Sequence, residues 1–317
     1  MRAFALDAFG QPGSIHDVPE PEPAEGQVRV RVAAASLNPF DNAVLAGYMK
    51  DRMEHRFPLI PAGDFSGTVD AVGSGVTGYA VGDHIFGVTG KMVFGAGTLA
   101  EKTTAAVGTI ARRPQSITDV EAAALPLAGV SALMCVDAVG PKPKDVVVVV
   151  GAGGGIGSYA VQLAKGRGAH VIGVTTKENA DYVKGLGADE VIDRTAGDVL
   201  EALKSKHKDG VAAIIDTGSD ATGLAHLSGA VHKGGTVVSM KGFGPRRAGE
   251  ERRQGSQHPD PGEHRTAGNV GEAVGCWNVE SSEDPHLLAR PRGRSVQAPR
   301  PGRRETRNYP LASAIRL

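Results

Sequence analysis

The sequence predicts an α/β fold in which a β-rich region is followed by a doubly wound parallel sheet. Short strands separated by glycine turns occupy residues 1–118, whereas strands and helices alternate over residues 119–244. Within the second region, five consecutive valines, Val146–Val150, lead into a glycine turn and an amphipathic helix. A strand that is apolar on both faces is typical of the middle of a parallel sheet.

The first region contains several short strands. Gln27–Val32 alternates strictly between polar and apolar residues, and Arg2–Leu6 and Phe65–Val72 are also rich in strand-forming residues. Val81–Gly87 is a turn that leads into a further short strand. This density of strands and glycine turns predicts a small barrel or sandwich.

The second region begins with two helices, the first capped by Thr118 or Asp119 and the second running from Leu125 to Val139. The predicted strands that follow are Val146–Val150, Ala169–Val174, Glu190–Asp193, Val211–Asp216 and Gly235–Met240, and the predicted helices are Gly157–Lys165, Asn179–Leu186, Asp198–Lys206 and Gly223–Val231. Alternation at this spacing gives crossover connections and therefore a parallel sheet.

The turn after the valine strand has the spacing of a dinucleotide-binding site. Gly151, Gly154 and Gly157 are each separated by two residues, and Gly155 and Ile156 complete the turn. Glycines let the backbone approach a pyrophosphate, and the N-terminus of the next helix offers N–H groups to it. Glycines alone would be weak evidence in a chain that holds 44 of them, so the flanking strand and helix carry the prediction.

Composition argues against several classes of function. The chain has 35 basic and 35 acidic residues, so a net charge of zero gives no general attraction to nucleic acid or to an anionic membrane. Two cysteines are too few for a disulfide framework or a usual zinc site, which favours a reduced, cytoplasmic setting. We expect neither a signal peptide nor a membrane span, because no apolar run is long enough.

Residues 245–317 differ in composition from the rest of the chain. They contain 13 arginines and no lysine, whereas residues 1–244 contain 13 lysines and 9 arginines. Eight prolines and the loss of hydrophobic periodicity predict an irregular tail.

Several motifs together resemble one family. They are Ala34–Asp41, Pro61–Gly67, Val81–Asp83, Glu121–Leu127, the glycine turn, Gly187–Asp193 and Gly234–Val238. On these residues the chain resembles the zinc-independent medium-chain dehydrogenase/reductases of the quinone oxidoreductase (zeta-crystallin-like) group. The resemblance implies a GroES-like catalytic domain over residues 1–118 and a Rossmann NADP-binding domain over residues 119–244.

The family's chain normally closes its nucleotide sheet and returns to the first domain, and residues 245–317 show none of the segments that do so. When the reading frame is shifted forward by one base, with third bases left free, parts of this tail can encode those segments in order. We therefore hypothesise a frameshift between about Gly244 and Arg253. A natural disordered extension is the alternative.

The end of the second parallel strand bears on the choice of cofactor. NAD-specific sites usually place an acid there, whereas this strand ends in Thr175, Thr176 and Lys177. The threonines can donate hydrogen bonds, and Lys177 and Arg194 can pair with a 2′-phosphate, which favours NADP. Alternatively, Lys177 and Arg194 are ordinary surface charges. Glu178 is expected to lie past the contact.

Two further residues are candidates for cofactor binding. Ser131, at the start of a predicted helix, can bond to the nicotinamide ribose or to a phosphate. Thr217 follows the carboxyl end of a strand, where ligands bind in parallel sheets.

We expect no zinc site. No cysteine precedes Cys135, and the segment ending in Asp64 stands where zinc-dependent relatives carry Gly-His-Glu. His55 and His84 are single histidines without the spacing of metal ligands. Because a plain alcohol needs a Lewis acid to stabilise its alkoxide, alcohol dehydrogenase activity is disfavoured.

Reduction of a quinone or an enone requires less electrostatic stabilisation than oxidation of an alcohol. The acceptor spreads negative charge onto its own carbonyl oxygen, and one or two hydrogen-bond donors suffice there. By resemblance, Asn38 lies beside the nicotinamide and this carbonyl; alternatively, its amide only holds the turn. Asp41 either orients Asn38 or, as we favour, caps the following helix. Tyr48 can stack on a quinone or donate a proton, and plain packing explains it equally well.

The sequence therefore predicts NADPH-dependent hydride transfer to a small quinone or α,β-unsaturated carbonyl, with solvent or Tyr48 as the proton source. The alternative is a non-catalytic dinucleotide-binding protein or the inactive product of a disrupted gene. Quinone, enone and enoyl thioester reductases share these motifs, and the family resemblance allows a homodimer.

Overall fold

A computed structural model of the chain describes residues 1–90, 94–240, 246–247 and 313–316. These residues form two compact units. The first is Met1–Leu127 together with Ser313–Arg316, and the second begins at Ala128 and includes Arg246–Arg247. No helix in this described part is both long enough and apolar enough to span a membrane.

The first unit is built mainly from short strands. The strands are β1 (Arg2–Ala5), β2 (Ser14–Asp17), β3 (Gln27–Leu37), β4 (His55–Ile60), β5 (Asp64–Val72), β6 (His84–Val88), β7 (Phe94–Ala96), β8 (Lys102–Ala106), β9 (Ile110–Arg112) and β16 (Ser313–Arg316), and the helices are α1 (Pro39–Leu45) and α2 (Asp119–Ala123).

The longest strand of this unit, β3, has neighbours on both sides. The strand β5 pairs along one side, whereas on the other side β8 pairs with Gln27–Arg31 and β16 pairs with Ala34–Leu37. The alternation seen in the sequence places Val28 and Val30 in a buried core with Phe65. The chain then leaves β3 at Asn38 and turns into α1.

The second unit is a parallel sheet with helices in its connections. Its strands are β10 (Val146–Val150), β11 (His170–Thr175), β12 (Glu190–Asp193), β13 (Val211–Asp216), β14 (Val231–Ser239) and β15 (Arg246–Arg247), and its helices are α3 (Pro126–Val139, which begins in the first unit), α4 (Gly155–Gly166), α5 (Ala180–Gly185), α6 (Val199–Lys206) and α7 (Ala221–Leu227).

The strand β10 is central in this sheet. The strand order is β12-β11-β10-β13-β14-β15, in which the first five strands are parallel and β15 is antiparallel to β14. The chain builds outward from β10 on one side and then returns to build the other side. The carboxyl end of β10 is therefore the switch point at which such sheets bind ligands.

Most predicted elements of the second unit are present, but the last predicted helix is wrong at its end. α7 stops at Leu227, a 3-10 turn follows at Ser228–Ala230, and β14 has already begun at Val231, which pairs with Val211. The expectation of a helix up to Val231 failed because apolar spacing alone did not separate a helix end from an adjoining strand.

Two other predictions concern the cap of α2 and the tail after residue 244. Thr118, rather than Asp119, caps α2, since its hydroxyl oxygen accepts a hydrogen bond from the backbone N–H of Glu121. The sequence predicted residues 245–317 to be irregular, but the structure has two short strands there, β15 and β16. The remainder of that tail, on which the frameshift hypothesis depends, lies outside the described residues.

Candidate functional site

The glycine turn lies between β10 and α4. Gly151 has a φ of +78°, and Gly154 is the extended N-cap of the helix. Gly155 and Ile156 form the first turn of α4, where backbone N–H groups have no partner within the helix. The turn therefore places a helix N-terminus at the switch point of the sheet, which is the arrangement that binds a pyrophosphate.

Two of these glycines are required by close packing. A Cβ atom built on Gly157 would overlap the peptide oxygen of Gly151, and one built on Gly153 would lie 2.8 Å from the hydroxyl oxygen of Thr175. The backbone of the turn is thus pressed against both α4 and the end of β11. What remains is a backbone cradle of the kind that accommodates a dinucleotide.

Polar groups meet beyond the carboxyl end of β11. Thr175 is buried there, and the backbone N–H of Arg194 donates to its carbonyl oxygen over 2.8 Å. The pKa of Asp193 is lowered mainly by hydrogen bonds from Thr195, and the nearby charge of Lys177 lowers it further. The structure therefore brings Thr175, Lys177 and Arg194 to one edge of the sheet.

Glu178 also lies at this edge, in the 3-10 turn after β11, and our expectation that it lies past the contact with the cofactor stays a prediction. The pKa of its carboxyl is lowered by hydrogen bonds from its own backbone amide and from the hydroxyl of Thr176. The Asn179 amide donates to that same hydroxyl oxygen at 3.3 Å. An acid therefore stands next to the basic Lys177, and cofactor choice depends on which of the two meets the ribose.

Thr217 lies beside the glycine turn, on the loop after β13. Its hydroxyl donates to the carbonyl oxygen of Val150 at 2.8 Å, and its backbone N–H donates to the same oxygen at 3.1 Å. The side chain thus ties this loop to the end of β10. The hydroxyl proton is used within the protein, and contact between Thr217 and a cofactor stays a prediction.

Asp216, which sequence reasoning did not single out, holds two loops together. It is the fully buried last residue of β13. One carboxylate oxygen accepts a hydrogen bond from the backbone N–H of Ser219 at 3.0 Å, and the other accepts one from the hydroxyl of Ser239 at 3.2 Å. The available signal was an acid that ends an otherwise apolar strand.

Ser131 lies in the second turn of α3 and not at its start, because the helix already begins at Pro126. Its side chain is buried. Contact between Ser131 and a cofactor stays a prediction.

In the first unit, Asn38 and Asp41 are joined at the N-terminus of α1. Asn38 is the N-cap, and its backbone N–H donates to the Asp41 carboxylate at 2.6 Å. Asp41 therefore takes part in the capping box of α1 and is bonded to Asn38 by the same contact, which fits both roles considered from the sequence. Burial raises the pKa of Asp41 to about 6, despite the hydrogen bond from Asn38.

Asp64 makes the second contact to Asn38. At the start of β5 it is only 2% exposed, and its Oδ2 atom accepts hydrogen bonds from Asn38 Nδ2 at 3.0 Å and from the backbone N–H of Leu127 at 3.2 Å. Burial raises the pKa of Asp64 to about 7, while these hydrogen bonds act in the opposite direction. A carboxyl group that titrates near neutral pH is therefore bonded directly to Asn38.

Tyr48 follows α1, and its side chain is 79% exposed. Plain packing against the described residues therefore does not account for it. A phenol ring in this position can meet a ligand, but its role in stacking or proton donation stays a prediction.

The histidines of the first unit have other partners. The His55 ring lies with its centroid 4.9 Å from that of Phe9 and 5.5 Å from that of Phe94, and His84 Nδ1 is 3.4 Å from the Thr68 hydroxyl oxygen. Within the described part of the chain, no group of three or more His, Cys, Asp or Glu side chains could hold a metal ion.

Two families match the chain, one in each unit. Residues 24–115 match the alcohol dehydrogenase GroES-like domain, and residues 155–248 match the family described as zinc-binding dehydrogenase. The first matched segment contains Asn38 and Asp41, and the second begins at Gly155, the first residue of α4, so it contains α4 but not Gly151 or Gly154.

Individual proteins are similar over the same region. The chain is 39% identical over 224 residues to a chloroplast envelope quinone oxidoreductase homolog of Arabidopsis thaliana, covering 67% of each chain. It is 35% identical to a mitochondrial NAD(P)H oxidoreductase of Mus musculus, covering 56% of this chain and 49% of that one. A solved quinone oxidoreductase structure from Coxiella burnetii superposes with a TM-score of 0.68 at 32% identity, covering 75% of each chain.

Proposed function

The chain belongs to the medium-chain dehydrogenase/reductase family and is an oxidoreductase of the nicotinamide-dependent type, and from that premise we propose that it uses NADPH to reduce a quinone or an α,β-unsaturated carbonyl without zinc. One observation carries the proposal. The turn between β10 and α4 forms a backbone cradle whose close contacts admit no side chain at Gly157.

The cradle supports dinucleotide binding. The backbone N–H groups of Gly155 and Ile156 would hold the pyrophosphate, with Gly154 and Gly157 permitting its close approach. When bound, NADPH supplies the hydride for the reduction. The protein's own part is to hold the cofactor, to stabilise charge on the acceptor and to provide a path for a proton.

The preference for NADPH is supported by the basic residues beyond β11. Lys177 and Arg194 are exposed, and each can donate to a 2′-phosphate. Glu178 would oppose a phosphate, since hydrogen bonds from its own backbone amide and from Thr176 lower the pKa of its carboxyl and keep it ionised. The two cations Lys177 and Arg194 outnumber this single negative charge. We therefore assign the phosphate contact to Lys177, with Arg194 in support.

The acceptor's carbonyl oxygen gains negative charge as the hydride arrives, so a hydrogen-bond donor there lowers the barrier. Asn38 would be that donor. The proton that completes the reduction would come from solvent or from the exposed Tyr48. No alkoxide has to be formed from a plain alcohol, so this chemistry does not require zinc.

The proposal is tested by following NADPH oxidation with a small quinone and with a simple enone, beside thermal unfolding with NADPH or NADH. We expect acceptor-dependent oxidation that a chelator leaves unchanged, and a larger rise in Tm with NADPH than with NADH. Activity that is lost on chelation and restored by zinc would contradict the proposal, as would the reverse order of the two cofactors.

A second candidate is a non-catalytic dinucleotide-binding protein. The composition of residues 245–317 favours it, because arginine replaces lysine entirely where the family's chain closes its sheet. NADPH binding without turnover of any acceptor would select this candidate. Neither binding nor turnover would indicate an inactive gene product.

Location and assembly are also proposals. A cytoplasmic location is motivated by the two cysteines, and relatives are named for the chloroplast envelope and the mitochondrion. A small-molecule substrate, no nucleic-acid partner and a family-like homodimer complete the proposal. Cell fractionation and analytical ultracentrifugation would check them.

A further inference from the structure

Asn38 is held at two points by carboxyl groups on different elements. Asp41, on α1, accepts the Asn38 backbone N–H, and Asp64, on β5, accepts the Asn38 side-chain amide. All three residues are buried. Sequence reasoning weighed the position of Asp64 only as a substitute for a zinc-site residue, and the proposed reduction gives it no role.

We propose that Asp64 is a positioning residue that sets the orientation of the Asn38 carboxamide for hydrogen bonding to the acceptor's carbonyl oxygen. This inference rests on the proposed function, in which Asn38 is the donor. It assigns to Asp64 no contact with substrate or cofactor.

The physical basis of this orientation is that an ionised carboxylate has hydrogen-bond acceptors but no donor. An ionised carboxylate only accepts hydrogen bonds, so it draws the nitrogen of the Asn38 amide toward itself and rejects the oxygen. Because the amide is planar, fixing one N–H fixes the direction of the other N–H as well. The bond of 3.0 Å between Asn38 Nδ2 and Asp64 Oδ2 therefore selects one of the two amide orientations.

Protonation would weaken this selection. A neutral carboxyl can donate as well as accept, so it tolerates either orientation of the amide. Burial, with a smaller contribution from the nearby carboxyl of Asp41, raises the pKa of Asp64 to about 7. The other groups that the structure places on Asp64 are amide donors, from Asn38 and Leu127, and the hydroxyl of Thr98, which donates to the Asp64 carbonyl oxygen.

A competing explanation is that Asp64 only caps α3. Its Oδ2 atom accepts the backbone N–H of Leu127, in the first turn of that helix, at 3.2 Å. Loss of a cap lowers stability but leaves Asn38 oriented. Thr118 offers a matched control, because it caps α2 in the same unit and its hydrogen bonds are made with Glu121.

The experiment compares wild type, Asp64→Ala, Asp64→Asn, Asn38→Ala, the double variant Asp64→Ala/Asn38→Ala and Thr118→Ala. We expect Asp64→Ala to lower kcat for a quinone about tenfold with little change in KM for NADPH. The double variant should be no slower than Asn38→Ala, because the two residues act as one unit. Asp64→Asn can donate as well as accept, so it should tolerate either orientation of the Asn38 amide and lower kcat much as Asp64→Ala does. In wild type, kcat should rise with pH near 7 as Asp64 ionises, and this rise should be absent in Asp64→Asn. Thr118→Ala should lower Tm and leave kcat unchanged.

A second readout needs no turnover. The ¹⁵N-labelled side-chain amide of Asn38 should shift with pH near 7 in wild type, and this titration should vanish in Asp64→Asn. An Asn38 amide signal that ignores both pH and Asp64→Ala would overturn the inference, as would additive losses of kcat in the double variant. If wild type reduces no acceptor, the proposed function fails, while the amide titration still decides whether Asp64 controls Asn38.

Discussion

The peptide oxygen of Gly151 occupies the space that a Cβ atom on Gly157 would need. Gly151 directly follows β10, and Gly157 lies in the first turn of α4, so the two residues meet across the glycine turn. We predict that Gly157→Ala forces the helix away from the turn, which lowers stability by about 1–3 kcal/mol and abolishes measurable NADPH binding. Calorimetry with NADPH and a thermal melt would measure both effects.

Gly185→Ala is the matched control for that substitution. Gly185 ends α5 and is exposed, and a Cβ atom added there would meet no other atom within 4 Å. The variant should gain up to about 1 kcal/mol of stability from helix propensity and bind NADPH normally. Equal NADPH affinity in the two variants would show that the contact between Gly151 and Gly157 does not shape the cofactor site.

Lys177 is predicted to discriminate between the two nicotinamide cofactors. Lys177→Ala should weaken NADPH binding about tenfold and leave NADH binding within about twofold, because a charged hydrogen bond to the 2′-phosphate is lost. Lys184→Ala, an exposed change on α5, should alter neither. Equal loss of both cofactors would indicate that Lys177 contacts a part that they share.

Asp64 makes stability depend on pH. Its pKa is raised from the ordinary 3.8 to about 7, so the folded protein binds a proton more tightly than the unfolded chain does. The stability gained from this proton is complete below the unfolded pKa and is lost as the pH rises through the folded pKa. Relative to Asp64→Asn, wild type should therefore lose on the order of a few kcal/mol between pH 4 and pH 8. Urea titrations of both proteins at several pH values would measure it, and parallel curves would contradict it.

Asp216 is predicted to stabilise the ligand-binding edge of the second unit. Asp216→Ala removes the acceptor for groups on the loops after β13 and β14, and should cost about 2–4 kcal/mol together with weaker NADPH binding. Asp220→Ala removes only the cap of α7 and should cost about 1 kcal/mol without a change in affinity. Denaturant curves and NADPH titrations distinguish the two variants. Equal losses of stability and affinity would contradict the prediction that Asp216 holds the two loops together.

The origin of residues 245–317 can be read from the gene. If the frameshift hypothesis is correct, the codons from about position 240 to 255 contain the change, and the forward-shifted frame downstream encodes Ala-Gly-Glu-Lys-Arg-Gly-Thr-Ile-Arg from the stretch Gly302–Leu311. Nucleotide sequencing decides the matter. Codons that fail to give this segment in the shifted frame would leave the disordered extension as the explanation.

The second unit could be predicted well because its signals are local. A five-valine strand, a glycine turn and an amphipathic helix each occupy a few consecutive residues, and the structure has β10 and α4 where those signals lie. The first unit offered less. Its strand β8, for example, pairs with Gln27–Arg31, more than 70 residues away, and such pairing leaves little trace in either segment alone.

The same physical reason explains which site residues were missed. Asp64 has partners 26 and 63 residues away, and only the folded structure shows that they meet on one oxygen atom. The structure places Glu178 in the 3-10 turn at Lys177–Asn179, and its position relative to a bound cofactor stays a prediction. Spacing along a sequence predicts local geometry, whereas burial and long-range partners depend on the whole fold.

The short strand β16 covers an edge of β3 immediately before Asn38. Ladder hydrogen bonds are made by backbone groups, which are the same in every residue other than proline. Backbone pairing beside Ala34–Leu37 therefore requires extended residues other than proline rather than one particular set of side chains. If the frameshift hypothesis is correct, a changed C-terminal sequence still provides such a strand at the edge of β3 next to Asn38.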